Sequence, residues 1–235
     1  MSLWYLGDIH IRRLDLQTVV TEAESLAIPP DALIQVGDFG AFWPKYTEKM
    51  DEWIRARADA GRWKIPIITC GGNHDNWNLL LKMEEDSTDD LLEIIPGSGV
   101  FYARRGSVIE IGGIKHGFLG GAFSTNKHQL TENVNWWARE EPNCKEFERF
   151  YDNLLLHRPD IIVTHEAPRC VSYERVGRNS NVTVRMLDDL FWTLMKDGCQ
   201  PKRWMYGHFH RLEKRKISGT KFYCCGYHGE YWEIK

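Results

Sequence analysis

The sequence predicts an α/β fold, a mixed β-sandwich with helices on the outside, and three observations carry that prediction. Short apolar runs recur and end in Gly, Asp, His or Asn. Helical patterns lie between them, and two Gly-punctuated stretches alternate as antiparallel hairpins do. At 235 residues, with 43% hydrophobic and 27% charged residues, the chain suits an ordinary globular protein. One domain spanning residues 1–235 is expected, since no repeat, low-complexity tract or linker divides it.

The elements follow in chain order. "SLWYLGD" (2–8), "ALIQVGD" (32–38), "PIITCGG" (66–72) and "DIIVTH" (160–165) read as buried strands of a mainly parallel sheet. Between the first two, residues 14–28 place Leu16, Val19, Val20, Ala23 and Leu26 on one helical stripe. Residues 45–61 do the same with Met50, Trp53 and Ile54, and Gly61 stands where a C-terminal cap belongs. The stretch 76–92 is helical at least in part. Residues 145–160 and 185–198 predict two more helices, the first stopped by Pro159. Residues 98–123 and 212–234 predict the hairpins, while 124–143 and 168–184 read as irregular segments.

Composition excludes several function classes. A net charge of -3 gives no general attraction for nucleic acid or an anionic membrane. No apolar run is long enough to span a bilayer. Asp8 and His10 interrupt any leader-like apolar core at the start. The six Cys are scattered without a C-x-x-C pair, so neither a disulfide partner nor a cysteine zinc site is expected. A reducing, cytoplasmic setting follows. Most of the ten Trp are expected in the core.

The polar residues collect at the ends of the apolar runs: "GDIH" (7–10), "GDFG" (37–40), "GNHD" (72–75), "VTHEAP" (163–168) and "YGHFH" (206–210). Ligands of open α/β sheets bind at the carboxyl ends of the strands. Asp8, His10, Asp38, Asn73, His74, His165, His208 and His210 are therefore expected at one edge, and five of the nine His are among them. Carboxylate, amide oxygen and imidazole form a donor set for Mn, Fe, Zn or similar ions. Seven such donors exceed what one ion needs and suit two ions about 3.5–4 Å apart. Any single residue has a plainer reading: Asp38 as a helix cap, Asn73 as a turn residue, His10 or His165 as a structural imidazole.

The ordered series D-x-H, G-D, G-N-H-D, H, G-H-x-H, running from Asp8 to His210, resembles the calcineurin-like metallophosphoesterases. The resemblance implies two mixed β-sheets packed together and flanked by helices. It implies Asp8, His10 and His210 on a first metal, Asp38 bridging, and Asn73, His165 and His208 on a second. A metal-bridging hydroxide would attack phosphorus, with His74 as general acid at the leaving oxygen. Mn2+ is the favoured ion, with Fe, Zn, Ni or Co as other fits.

The sequence departs from the protein phosphatase branch, where Asp and Arg follow the metal-binding Asp by three and four positions. Ala41 and Phe42 stand there instead. Without that Arg to clamp a dianion, a phosphodiester is favoured over a monoester. Asp75 is a candidate to orient His74, beside its plainer role as a solvated carboxylate or cap. Trp43 and Trp77 are candidates to stack a nucleobase, or else they pack. Arg169, Arg175 and Arg178 offer cations for a second phosphate on what is otherwise a solvated loop. The segment "LGGAFSTNKHQL" (119–130) resembles small bacterial and phage members of the family, which commonly carry Asp in place of Asn126. His128 and His228 read as surface or structural.

The expected function is a dinuclear phosphodiesterase acting on a small nucleotide, with 2',3'- or 3',5'-cyclic ones in view. A phosphomonoesterase or nuclease of the same family, and a non-catalytic metal-binding scaffold, are the alternatives. The complete set of seven ligands plus His74 disfavours the scaffold.

Overall fold

The computed structural model describes residues 1–40, 48–61, 64–172 and 181–235. The strands are β1 (Leu3–Leu6), β2 (Ala32–Gln35), β3 (Ile67–Thr69), β4 (Leu91–Glu93), β5 (Val100–Ala103), β6 (Val108–Ile111), β7 (Ile114–Leu119), β8 (Ile161–Thr164), β9 (Arg203–Tyr206), β10 (Leu212–Ile217), β11 (Thr220–Cys225) and β12 (Tyr231–Ile234). The helices are α1 (Arg13–Ser25), α2 (Glu48–Asp59), α3 (Trp77–Asp86), α4 (Cys144–His157), α5 (Arg169–Ser172) and α6 (Val182–Lys196).

These strands form two mixed six-stranded sheets, ordered β12-β1-β2-β3-β5-β4 and β10-β11-β9-β8-β7-β6. In the first sheet β1, β2, β3 and β5 run parallel, and in the second β7, β8, β9 and β11 do.

The apolar runs are continuous because both faces of these strands are covered. In β1, Leu3 and Tyr5 face the second sheet while Trp4 and Leu6 face α1 and α2. In β8, Ile161 and Val163 enter the inter-sheet core while Ile162 meets α4 and α6. The alternation of side chains along a strand produces this two-sided use. One polar pair sits between the sheets: the Tyr5 hydroxyl is 2.7 Å from His116 Nε2, and the His116 ring Nδ1 is 2.8 Å from the Ile114 carbonyl.

The helices begin and end where local chemistry allows. Asn143 and Glu146 form a reciprocal capping box on α4, and Arg158 closes that helix in a left-handed turn before Pro159. Asn76 and Asn181 cap α3 and α6 through the amides of Leu79 and Val184. Along α1, Leu16, Val19, Val20 and Ala23 are buried. Leu26 lies past the last turn and is exposed, so the expected stripe is one residue too long.

The stretch 76–92 is helical over α3, and its last two residues enter strand β4, whose Leu91 to Glu93 pair with β5. Two expectations need correction. The region 98–123 contains antiparallel pairing at β6 and β7, yet β5 pairs parallel with β3 and β7 parallel with β8. Likewise β10 and β11 are a hairpin, but β12 crosses to the first sheet and pairs with β1. Alternation identifies a strand without naming its neighbour. Of the eight described Trp, Trp4, Trp77, Trp137 and Trp204 are buried, and Trp192 is exposed.

Candidate metal centre

The carboxyl ends of β1, β2, β3, β8 and β9 meet at one edge of the sandwich, and the polar tetrads follow those ends. Gln35, fully buried in an otherwise apolar strand, ties three of the loops together. Its amide nitrogen donates to the carbonyls of Gly7 (3.1 Å) and Gly37 (2.5 Å). Its oxygen accepts from the Gly37 amide (3.0 Å) and the Thr69 hydroxyl (2.6 Å). All four hydrogen-bonding positions of this buried amide are used, as burial demands.

Backbone shape then aims the side chains. His10, Asp38, His208 and His210 all have positive φ, between 46° and 66°. Such left-handed conformations are costly for non-glycine residues and cluster at functional sites. Two glycines let backbone close on the carboxylates. A Cβ at Gly207 would stand 2.5 Å from Asp8 Oδ1, and one at Gly72 would run into the Asp38 carboxylate.

The donors converge in two groups. In the first, His210 Nε2 lies 3.1 Å from Asp8 Oδ2 and 3.1 Å from His10 Nε2. His10 Nε2 is 3.7 Å from Asp8 Oδ2 and 3.5 Å from Asp38 Oδ2. In the second, Asn73 Oδ1 is 3.0 Å from both His165 Nε2 and His208 Nδ1. His165 Nε2 is 3.4 Å from Asp38 Oδ2. Asp38 Oδ2 therefore stands between the two groups. Asp8 is also close to both, forming one compact set with His10 and His210 and another with Asp38 and His165. Lone-pair donors this close repel one another unless a proton or cation lies among them, so the arrangement fits metal ions.

The electrostatics agree. Burial pushes the Asp8 carboxyl up, but His165, His10 and His210 outweigh it and hold the group down at about 2. Burial lowers His165, yet Asp38 and Asp8 raise it to about 10. Buried carboxylates and imidazoles here share a charge that a divalent cation would take over.

Around the donors lies a set of supporting groups. His165 Nδ1 faces the Val36 carbonyl at 2.8 Å, which leaves Nε2 for the centre. His208 Nε2 is 3.7 Å from Glu166 Oε2, and the His208 amide donates to Asp8. Asn73 Nδ2 donates to Ser124 Oγ at 2.9 Å. The Tyr227 ring stacks on His210, with centroids 4.2 Å apart and planes 11° from parallel, and meets the edge of His10 at 5.5 Å.

His74 stands half-buried beside the first group, its ring centroid 5.5 Å from that of His10. Its amide donates to Asp38 Oδ1 at 2.7 Å, and its ring Nδ1 is 3.4 Å from the Asn135 carbonyl. The expectation that Asp75 orients His74 needs correction. The Asp75 oxygens accept from the amides of Gly40 (2.7 Å), Gly72 (2.7 Å) and Phe39 (3.3 Å), which staples two ligand loops together. Trp77 is also corrected as a base-stacking candidate. It is 0% exposed, donates to the Gly72 carbonyl, and carries the Arg105 guanidinium 3.3 Å over its ring. Trp43, Ala41, Phe42, Arg175 and Arg178 lie outside the described residues. Arg169 opens α5, Asn126 precedes a single 3-10 turn, and His128 and His228 are exposed.

Sequence reasoning missed Gln35, Ser124, Glu140, Glu166 and Tyr227. A polar residue inside the run "ALIQV" was a signal for Gln35, and "GYHG" at the end of β11 repeats the glycine-flanked pattern of the ligand motifs. Glu140 and Ser124 carry no such mark.

Among solved structures, one crystal structure at 11% identity and TM-score 0.56 covers 99% of this chain and 94% of its own. A putative 5'-nucleotidase from Staphylococcus aureus is 14% identical with TM-score 0.52, covering 97% of this chain and 49% of that protein. A novel archaeal phosphodiesterase is 12% identical, with TM-score 0.44 and coverage of 100% and 99%. At these identities the first two likenesses are ones of fold. No curated protein matches in sequence. Residues 1–212, which include every donor named above, match the profile of the calcineurin-like phosphoesterases, and the chain belongs to that family.

Proposed function

We propose that this chain is a dinuclear metal-dependent phosphohydrolase that prefers phosphodiesters. The observation that carries the dinuclear reading is the place of Asp38: one carboxylate oxygen lies 3.5 Å from His10 Nε2 and 3.4 Å from His165 Nε2. That oxygen suits a bridge between an outer ion on Asp8, His10 and His210 and an inner ion on Asn73, His165 and His208. The single domain of residues 1–235 is read as the catalytic unit. Mn2+ is the favoured ion, with Fe, Zn, Ni or Co also fitting the mixed oxygen and nitrogen donors.

Two such ions would supply Lewis acidity and an activated water nucleophile. The chain's own residues do the rest. Asp38 is steadied by the His74 amide, so the bridge and the acid are positioned by one residue's backbone and side chain. The His74 ring sits over the outer group, where it can give a proton to a leaving oxygen.

The diester preference rests on Ala41 and Phe42, which leave no cation at the position that clamps a phosphate dianion in the phosphatase branch. A small nucleotide is the favoured substrate, because a net charge of -3 does not suit a polynucleotide. All six thiols are free, which supports a reducing, cytoplasmic setting.

The deciding experiment is hydrolysis of a chromogenic phosphodiester and its monoester counterpart, with Mn2+ and after chelation. Chelator-sensitive turnover that favours the diester is expected. Faster monoester turnover would refute the diester preference, and no turnover of either with metal bound would favour the scaffold.

A further inference from the structure

Asn73 can serve the inner ion only through its amide oxygen, yet the two ends of an asparagine amide are nearly the same size. Something must decide which end faces His165 and His208. We propose that Glu140, acting through Ser124, is a positioning residue that keeps the Asn73 oxygen turned to the inner metal site. This deepens the dinuclear reading and rests on it.

The hydrogen-bond directions carry the inference. Glu140 Oε1 accepts the Ser124 amide at 2.8 Å, and Oε2 accepts the Ser124 hydroxyl at 2.5 Å. With its only hydrogen given to Glu140, Ser124 Oγ can only accept from its other neighbour. That neighbour is Asn73, whose Nδ2 donates at 2.9 Å. The amide oxygen is thereby left 3.0 Å from His165 Nε2 and 3.0 Å from His208 Nδ1. Asn73, Ser124 and Glu140 are all buried, so a lost partner is not replaced by bulk water.

The frame around the relay is rigid. Buried Arg105 donates to the carbonyls of Gly120 (3.2 Å), Arg139 (3.0 Å) and Glu140 (2.6 Å), clamping the segment that carries Ser124 to the one that carries Glu140. No part of this relay touches the reacting atoms. Its effect is the direction in which one ligand points.

The test is Glu140→Gln, which keeps the shape and reverses the polarity. Gln Oε1 would still accept the Ser124 amide, but its nitrogen would donate to Ser124 Oγ. The Ser124 hydrogen, no longer taken by a carboxylate, would then be free for Asn73, and satisfying it there turns the Asn73 oxygen to Ser124 and the nitrogen to the metal site. Mn2+ titration should show the inner site weakened by about 10- to 100-fold, the range of an outer-layer partner. The double variant Ser124→Ala with Glu140→Gln removes the reversed donor and should bind the inner ion more tightly than Glu140→Gln alone. Packing damage would instead make the two losses add.

A metal-free readout separates this from the functional reading. In protein labelled with 15N at Asn, the Asn73 amide protons should show contacts to Ser124 in wild type and to His165 or His208 in Glu140→Gln. Contacts that stay on Ser124 in that variant, or a double variant no better than the single, overturn the relay. If the amide turns as expected while wild type binds only one Mn2+, the relay stands and the dinuclear reading falls. Should Glu140→Gln not fold, Ser124→Ala carries the test: the amide should populate both orientations, and a single retained orientation overturns the proposal.

Discussion

Around Asn73 and His165 the donors are sealed and each leans on a further group, whereas His10 and His210 stand at the rim. His165 is 0% exposed and Asn73 2%, against side-chain exposures of 18% for His10 and 44% for His210. The inner set is held by the Val36 carbonyl, the Ser124 and Glu140 relay and the Glu166 carboxylate. In the outer set His10 and His210 lean on the Tyr227 ring, while Asp8 is buried and accepts from the His208 amide. Buried donors with fixed partners would lose little freedom on binding an ion, so on the proposed two-ion reading the inner ion should be held more tightly than the outer.

The largest effect should come from Asn73→Ala. It removes the only neutral oxygen donor of the inner set, so inner-ion affinity should fall by more than the roughly 100-fold typical of an outer-layer partner. Turnover should collapse while circular dichroism stays unchanged and the outer ion still binds. Near-normal Mn2+-dependent turnover would break the division into two sites.

His74→Ala tests the comparison from the other side, because it removes no proposed ligand. The rate of the chemical step should fall by about 10²- to 10⁴-fold, with both ions bound as in wild type. Loss of an ion in this variant would show that the ring holds metal rather than a proton.

A smaller change is expected at the rim. Tyr227→Ala deletes a stacked contact worth about 0.5–1.5 kcal/mol, which corresponds to a roughly two- to tenfold weakening of the outer ion. The inner ion should be untouched. Equal weakening of both ions would mean that the two halves are not independent.

The last effect is one of stability rather than metal binding, and it concerns a histidine remote from both halves. Burial depresses His116 from its ordinary value near 6.5 to about 4, so the folded state binds fewer protons than the unfolded state between those pH values. Its contribution is present above pH 6.5 and is lost as pH falls toward 4, to a limit of about 3 kcal/mol. A His116→Gln variant cannot take up that proton. The stability gap between wild type and variant, from denaturant melts of chelated protein, should shrink over this window. A constant gap would remove His116 from the acid response and leave the metal-centre histidines to account for it.

Much of this arrangement was legible in the chain. Strands β1, β2, β3 and β8 are nearly continuous apolar runs because both of their faces are covered, and polar motifs follow them directly, so these strands and the candidate donors appear together. Pairing was less legible. Residues 220–225 alternate like any hairpin strand, yet β11 joins β10 on one side and parallel β9 on the other. Asp75 and Trp77 show a different limit. Their positions beside His74 suggested a role at the substrate, while their side chains turn inward to bind backbone amides and to pack.

Residue type and order alone determined the strand ends, the donor chemistry and the family, because a metal ligand must be one of few side chains and must follow a strand that delivers it. Direction needed the folded chain. The left-handed backbone at His10, Asp38, His208 and His210, the sealing of His165 and Asn73 beside the more open His10 and His210, and the pairing of Asn73 with Ser124, 51 residues on, and of Ser124 with Glu140, 16 residues further, arise from contacts between distant segments. Such contacts obey hydrogen-bond polarity and packing in space, and neither is written in local sequence.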